Sequence, residues 1–264
     1  MNRIEERLTA LKEEGKKAFI TYTTAGLPDM ETTKKIMFAQ QEAGIDVMEL
    51  GIPFSDPVAD GPVIQAASYE AIQKGATLTK IFTLMKEVRK EGLTTPVVFM
   101  MYYNTVYHYG LEEFVEMCAD CGVDGLIIPD LPYEEQKEIN AVLAENEAAP
   151  ILIQLVSPVS KQRIPMIVNN ARGFVYCVSQ MGVTGNGANF HKQIREYLLE
   201  VKKNSPVPVM MGFGIRTAGD VEPLEDIIDG AIVGSHFITL MKENNYDENV
   251  IKEYISSFKK EMNE

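Results

Sequence analysis

The chain lacks the features that mark several classes of protein. Three cysteines in 264 residues are too few for a disulfide framework and favour a reducing compartment. With 25 basic and 38 acidic residues, the net charge of −13 disfavours nucleic acid or an anionic membrane as the main partner. No apolar run approaches the roughly 18 residues that span a bilayer. The charged N-terminus has no apolar targeting segment, so we expect a soluble cytoplasmic protein.

Several reactive groups are also missing from the places where they would act. The histidines His108, His191 and His236 lack metal-ligand spacing. Cys118 and Cys121 have no second cysteine pair with which to form a zinc site. No lysine falls in any predicted strand, which disfavours a Schiff-base aldolase. We therefore predict neither a metal site nor covalent lysine chemistry in this chain.

Apolar runs and helical patterns alternate along the whole chain. Eight strands are predicted, each followed by a helix, after one extra charged helix over residues 2–14. The strands are continuous apolar runs, which is typical of a parallel sheet covered on both faces. They are predicted at 18–26, 45–51, 96–104, 124–130, 149–157, 173–179, 207–214 and 230–235.

Eight βα repeats in about 250 residues are typical of a (β/α)8 TIM barrel. An open doubly wound sheet is the alternative, and it usually carries G-x-G-x-x-G after its first strand. Thr24-Ala25-Gly26 does not fit that motif. Because no linker or low-complexity tract divides the chain, we predict a single TIM-barrel domain over residues 1–264.

The most unusual stretch runs from Val47 to Ala66, V-M-E-L-G-I-P-F-S-D-P-V-A-D-G-P-V-I-Q-A. Glu49 lies inside its apolar strand, where a carboxylate costs free energy unless it is paired or protonated. Asp56 and Asp60 follow in a Pro- and Gly-rich loop that can fold back over the strand end. Two carboxylates in different environments are a common acid–base arrangement, and turn formation by the aspartates is the alternative.

In a (β/α)8 barrel the active site lies at the C-terminal ends of the strands. Glycine-bearing turns follow the last three strands, at residues 182–185, 212–214 and 234–235. Free backbone N–H groups beside a helix N-terminus bind anions, and steric punctuation is the alternative for any single turn. The residues predicted at the strand ends are Tyr22, Thr24, Glu49, Tyr102, Asn104, Asp130, Ser157, Tyr176, Ser179, Phe213, Gly214, Gly234 and Ser235.

Motifs spread over almost the whole chain resemble those of one family. The run E-L-G-I-P-F-S-D-P-V-A-D-G-P-V-I-Q is similar to the signature of the tryptophan synthase alpha subunit. P-D-L-P at 129–132, G-V-T-G at 182–185, G-F-G-I at 212–215 and V-G-S at 233–235 match in the family's order. The resemblance implies a lyase that cleaves indole-3-glycerol phosphate to indole and glyceraldehyde 3-phosphate. It also implies an alpha2beta2 heterotetramer, with pyridoxal phosphate in the beta subunit and no cofactor in this chain.

The resemblance also implies roles for individual residues. The family's catalytic glutamate matches Glu49 and its catalytic aspartate matches Asp60. The phosphate-site residues match Gly185, Gly214, Gly234 and Ser235. An apolar slot for indole is expected from Tyr22, Met100, Ile127, Tyr176 and Phe213. Thr184 is expected on a mobile lid that continues through the glycine-rich stretch after Gly185.

Three positions depart mildly from the family. Tyr22 stands where the family often has Phe, and Met100 and Ile127 stand where it often has Leu, so the slot stays apolar. Two alternatives remain open: a stand-alone indole-glycerol phosphate lyase, and a barrel without turnover that serves as a binding subunit. The loops at 53–60 and 103–110, the second with Asn104, are predicted to border the partner surface.

Overall fold

The computed structural model describes residues 2–160, 162–178, 188–212 and 214–264, with the backbone alone described at 188–191. Its strands form one closed parallel sheet. The strands are β1 (Ala18–Thr24), β2 (Val47–Gly51), β3 (Val97–Met100), β4 (Gly125–Ile127), β5 (Ile151–Leu152), β6 (Gln154–Val156), β7 (Val175–Val178), β8 (Val209–Gly212) and β9 (Gly230–Val233). Their order in the sheet is β5-β4-β3-β2-β1-β9-β8-β7-β6.

The pieces β5 and β6 are one strand interrupted at Ile153. The first piece pairs with β4 and the second with β7. The Ile153 N–H still donates to the Leu126 carbonyl at 2.9 Å. The ring is therefore closed by eight strand segments, and the predicted (β/α)8 barrel is confirmed.

Helices connect these strands and cover the outside of the sheet. They are α1 (Arg3–Glu13), α2 (Met30–Glu42), α3 (Pro62–Gln73), α4 (Leu78–Lys90), α5 (Tyr103–Tyr109), α6 (Leu111–Asp120), α7 (Lys137–Ala144), α8 (Ile164–Val168), α9 (Ala188–Asn204), α10 (Ser235–Glu243) and α11 (Glu248–Met262). Within the described ranges, none of these helices has the length and hydropathy of a membrane span.

Two predicted elements differ from the structure. Residues 103–109 form the helix α5 rather than a loop, because Asp130 Oδ1 accepts a hydrogen bond from the Tyr103 N–H at 2.9 Å and caps the first turn. The helix expected to follow the strand predicted at 207–214 is instead two short 3-10 turns, Ala218–Asp220 and Glu222–Leu224. Pro223 explains the second difference, since it cannot donate a hydrogen bond inside a helix.

The inside of the barrel is filled from its N-terminal end. The helix α1, which precedes the first strand, buries Ile4, Leu8 and Leu11 in the same cluster as the inward side chains of the strands. The strand members of that cluster are Ala18, Ile20, Val47, Val98, Ile127, Ile151, Ile153, Phe174, Met210 and Ile232. This end of the barrel is therefore a packed core, and it leaves the opposite end for chemistry.

Aspartates placed just before strands fasten the N-terminal end of the barrel. Asp46, Asp124 and Asp229 each accept a backbone N–H from the preceding strand in sequence, at 2.7–2.8 Å. Asp124 also pairs with two guanidinium groups, Arg3 and Arg89, each at 2.7 Å. Because Arg3 belongs to α1, this buried carboxylate ties the extra helix to the bottom of the barrel.

Candidate active site

Four of the predicted site residues point into the barrel near the C-terminal ends of their strands. Each stands two positions after a member of the interior core, and side chains two apart on a strand share a face. The four residues are Tyr22, Glu49, Met100 and Tyr176. Tyr22 and Glu49 are direct neighbours across β1 and β2.

Ile127, also predicted in the slot, belongs to the interior core. It is 1% exposed. Met100 and Tyr176 pack against that core, and Met100 is the register partner of Ile127. Ile127 therefore forms part of the floor beneath the mouth. The predicted residues Thr184, Gly185 and Phe213 lie outside the described part of the chain.

Glu49 carries a buried carboxyl group in β2. The residue is only 3% exposed, and its Oε2 atom has no hydrogen-bond partner among the described residues. Burial, with a smaller contribution from the negative charge of Asp60, raises the pKa of Glu49 to about 8. At neutral pH the group is therefore mostly protonated and can donate a proton.

Asp60 lies near Glu49 but in a different environment. It ends the loop that follows β2, and its Oδ2 accepts a hydrogen bond from the Tyr102 hydroxyl at 3.0 Å. Burial raises the pKa of Asp60 to about 6, and the bond from Tyr102 opposes that rise. At neutral pH Asp60 is mostly ionised while Glu49 is mostly protonated. A pair of carboxyl groups separated in this way can act as acid and counter-ion.

Two glycines make room for the aromatic side chains of the mouth. A Cβ atom on Gly51 would lie 1.9 Å from the Tyr22 hydroxyl oxygen, and one on Gly212 would lie 2.6 Å from the Tyr176 ring. Gly212, predicted as part of a phosphate turn, thus has a steric function toward Tyr176. No larger residue fits at either position unless a tyrosine moves.

The remaining glycines lie at the ends of the neighbouring strands β8 and β9. Gly234 is the N-cap of α10 and Ser235 is its first residue. Neither an acidic residue in the first turn nor a side-chain cap bond is found there among the described residues. Gly214 has φ +72°, and no described atom lies within 4 Å of its Cβ position. The backbone N–H groups of this helix start are thus suited to an anion.

Tyr102 belongs to the site although the sequence indicated only that it stands at a strand end. Its hydroxyl contacts both Ala59 and Asp60. No local pattern encodes this contact, because it depends on the path by which the loop returns over the barrel. In the described parts of the chain, no group of three or more His, Cys, Asp or Glu side chains is placed to hold a metal ion.

A parallel eight-stranded barrel with two carboxyl groups of different acidity at its mouth defines an acid–base enzyme of the (β/α)8 class. The family model of the tryptophan synthase alpha chain matches residues 8–264. The tryptophan synthase alpha chain of Lachnospira eligens is 76% identical over 263 residues, with 100% of both chains covered. That of Thermoanaerobacter sp. strain X514 is 46% identical, covering 98% of this chain and 99% of the relative.

Structural similarity leads to the same family. The crystal structure of tryptophan synthase subunit alpha from Legionella pneumophila matches with a TM-score of 0.89 at 33% identity, covering 99% of this chain and 98% of that chain. The chain therefore belongs to the tryptophan synthase alpha chain family. It is a lyase of the tryptophan synthase reaction, in which the alpha subunit cleaves indole-3-glycerol phosphate in tryptophan biosynthesis.

Proposed function

We propose that Glu49 and Asp60 together carry out the cleavage of indole-3-glycerol phosphate to indole and glyceraldehyde 3-phosphate. The observation that supports this assignment is the separation of their pKa values at one site, about 8 for Glu49 and about 6 for Asp60. The unpartnered Oε2 of Glu49 adds to it, because a substrate group can take the place of the missing partner.

The reaction needs a proton at C3 of the indole ring, and protonated Glu49 donates it. The ring then carries a positive charge centred on its nitrogen. The ionised Asp60 accepts a hydrogen bond from the indole N–H and stabilises that charge. Glu49 acts in its protonated form and Asp60 in its ionised form, which are the forms that prevail at neutral pH. No proton transfer is therefore needed before the reaction.

The second step breaks the carbon–carbon bond. The Glu49 carboxylate removes the proton from the hydroxyl on the carbon attached to the ring, and that carbon becomes the aldehyde. The bonding electron pair returns to the ring, which restores neutral indole. Glu49 ends the cycle protonated, as it began, so one side chain serves as acid and then as base.

We assign the remaining predicted residues to binding. Tyr22, Met100 and Tyr176 flank the indole ring over the floor that contains Ile127, and Phe213 completes the slot. The phosphate binds the backbone at Gly185, Gly214 and Gly234–Ser235, with Thr184 on the lid. In support, Gly214 and Gly234 lie just after the neighbouring strands β8 and β9, and Ser235 begins a helix whose dipole favours an anion.

The partner is the beta subunit that family membership implies, and we propose that it binds this same face of the barrel. Val58, Tyr107 and Val159 are 83%, 74% and 86% exposed. They follow β2, β3 and β6, so all three project from the C-terminal end. Apolar side chains exposed together on one face are typical of a protein–protein interface. An adjoining partner can also receive indole before it escapes into water.

Four finer properties belong to the same proposal. We propose an alpha2beta2 stoichiometry, with pyridoxal phosphate bound by the beta subunit and not by this chain. We also propose that residues 1–264 act as one domain, and that the enzyme works in the cytoplasm with the other biosynthetic enzymes.

The test is indole release from indole-3-glycerol phosphate by the purified chain, with and without a beta subunit. Slow release that rises when the beta subunit is added supports the proposal. Full activity that the partner does not change favours a stand-alone lyase. The absence of indole release in both mixtures, from a folded chain, contradicts the catalytic assignment.

A further inference from the structure

We propose that Tyr102 is a positioning residue that holds Asp60 in the mouth of the barrel through its phenolic hydroxyl. This role rests on the proposed function, in which Asp60 binds the indole N–H. Tyr102 itself need not touch the reacting atoms, because its effect is exerted through the carboxylate of Asp60.

The hydroxyl of Tyr102 makes two hydrogen bonds to consecutive residues of the loop. It accepts from the Ala59 N–H at 2.9 Å and lies 3.0 Å from Asp60 Oδ2. A backbone N–H can only donate, so the hydroxyl proton is free to be given to the carboxylate. The bond to Asp60 is therefore a charge-assisted one that favours the ionised form and sets its orientation.

The ring of Tyr102 contacts the other end of the same loop. Phe54 stacks on it with ring centroids 5.0 Å apart and an interplanar angle of 20°. Phe54 begins the loop and Asp60 ends it, while Ser55, Asp56 and Val58 between them are exposed. One side chain thus contacts both ends of a segment in which Pro57 is buried and its neighbours Asp56 and Val58 are exposed.

Tyr102 can serve as a fixed support because its own backbone is well anchored. It lies between β3 and α5 and is 3% exposed. Its carbonyl accepts from the Thr105 N–H at 3.0 Å, and the preceding Met101 N–H donates to the Ile127 carbonyl at 2.9 Å. The loop is therefore held against a rigid strand end, and this geometry is what a positioning residue requires.

Removing only the hydroxyl tests this role. Tyr102→Phe keeps the ring and its stacking on Phe54 but deletes the bond to Asp60. A lost hydrogen bond to a charged group typically corresponds to about 10–100-fold, so we expect kcat to fall by that range with a smaller change in KM. The acidic limb of the pH–rate profile should move to higher pH, because the bond holds the pKa of Asp60 down.

The matched control is Tyr103→Phe, the same chemical change one residue further along the chain. The hydroxyl of Tyr103 makes no hydrogen bond to Asp60 among the described residues, whereas that of Tyr102 does. We expect this variant to stay within about twofold of the wild type, with its acidic limb unmoved. Thermal melts of both variants exclude unfolding as the cause of any loss.

A double variant shows whether Tyr102 acts through Asp60. In an Asp60→Asn background, Tyr102→Phe should add little further loss, since the carboxylate that it orients is gone. Additive losses, or a Tyr102→Phe enzyme with wild-type kcat and acidic limb, overturn the positioning role. The proposed function itself fails separately, if the wild type releases no indole or if Asp60→Asn is fully active.

Discussion

Glu49 is the register partner of Tyr22, and the two side chains rise next to each other from β2 and β1 into the mouth of the barrel. The hydroxyl of Tyr22 lies over Gly51, two residues beyond Glu49 on the same face. The carboxyl group of Glu49 thus lies beside an aromatic side chain, and its Oε2 atom meets no hydrogen-bond donor within the described parts of the chain. This environment explains why burial is the largest cause of its raised pKa.

Removal of the acid at Glu49 should stop turnover without disturbing the fold. Glu49→Gln keeps the size of the side chain but cannot give up and recover a proton. Loss of an acid–base group typically costs about 10²–10⁴-fold in rate. Steady-state indole release measures the effect, and circular dichroism checks the fold. A folded variant that retains more than roughly a tenth of wild-type activity contradicts the assignment.

The pH dependence of kcat/KM should be bell-shaped. Activity needs Asp60 ionised and Glu49 protonated, so it should rise through about pH 6 and fall through about pH 8. Because the two carboxyl groups interact, the limbs report the pair and not each residue alone. Rates measured from roughly pH 5 to pH 9 at constant ionic strength test this expectation. A profile that keeps rising above pH 8 would exclude protonated Glu49 as the proton donor.

Glu49 should also make the fold less stable as the pH rises. Its pKa is raised from 4.5 to about 8 in the folded chain, so between these values the folded state binds more protons than the unfolded state. The free energy of unfolding contributed by this group is therefore fully present below pH 4.5 and is lost as the pH approaches 8.

Glu49→Gln cannot ionise and should escape this loss. Its melting temperature should exceed that of the wild type at pH 8 and approach it near pH 5. Each kcal/mol of difference in the free energy of unfolding corresponds to roughly 2–4 °C. Calorimetry at both pH values measures the difference. Glu112→Gln removes an exposed carboxyl group and should show no such pH-dependent gain. An equal difference between Glu49→Gln and wild type at both pH values would refute the linkage.

The sequence predicted the barrel and both carboxyl residues of the proposed catalytic pair, Glu49 and Asp60. Glu49 could be predicted because an acidic residue inside a continuous apolar strand is expected to be withdrawn from water. The contact of Asp60 with Tyr102 could not, because the path of a Pro- and Gly-rich loop depends on the surface over which it folds. The helix α5 was missed for a related reason: its aromatic residues favour a strand, and the distant Asp130 caps it as a helix.

The N-terminal end of the barrel should matter for stability and not for catalysis. Asp124→Ala leaves Arg89 without its carboxylate, in a position where the guanidinium is only 12% exposed. Breaking a buried ion pair typically costs 3–5 kcal/mol, and about 3 kcal/mol is expected because backbone carbonyls still bind Arg89. Urea unfolding measures the loss, with exposed Asp120→Ala as the control. If kcat of Asp124→Ala also falls at temperatures below its melting range, the N-terminal end of the barrel influences the active site at the other end.

Assembly with the beta subunit should accelerate the chain through α5. Asn104 is exposed on this helix, two residues after the Tyr102 that contacts Asp60. If the partner binds this face, Asn104→Ala should weaken the stimulation by the beta subunit by about fivefold or more, the effect of a significant interface residue. The rate of the isolated chain should change less, because Asn104 does not contact the carboxyl groups among the described residues.

Asn170→Ala, also exposed but located before β7 at the opposite end, is the matched control. Equal stimulation of both variants would place the partner elsewhere and leave Asn104 as a residue of the helix surface.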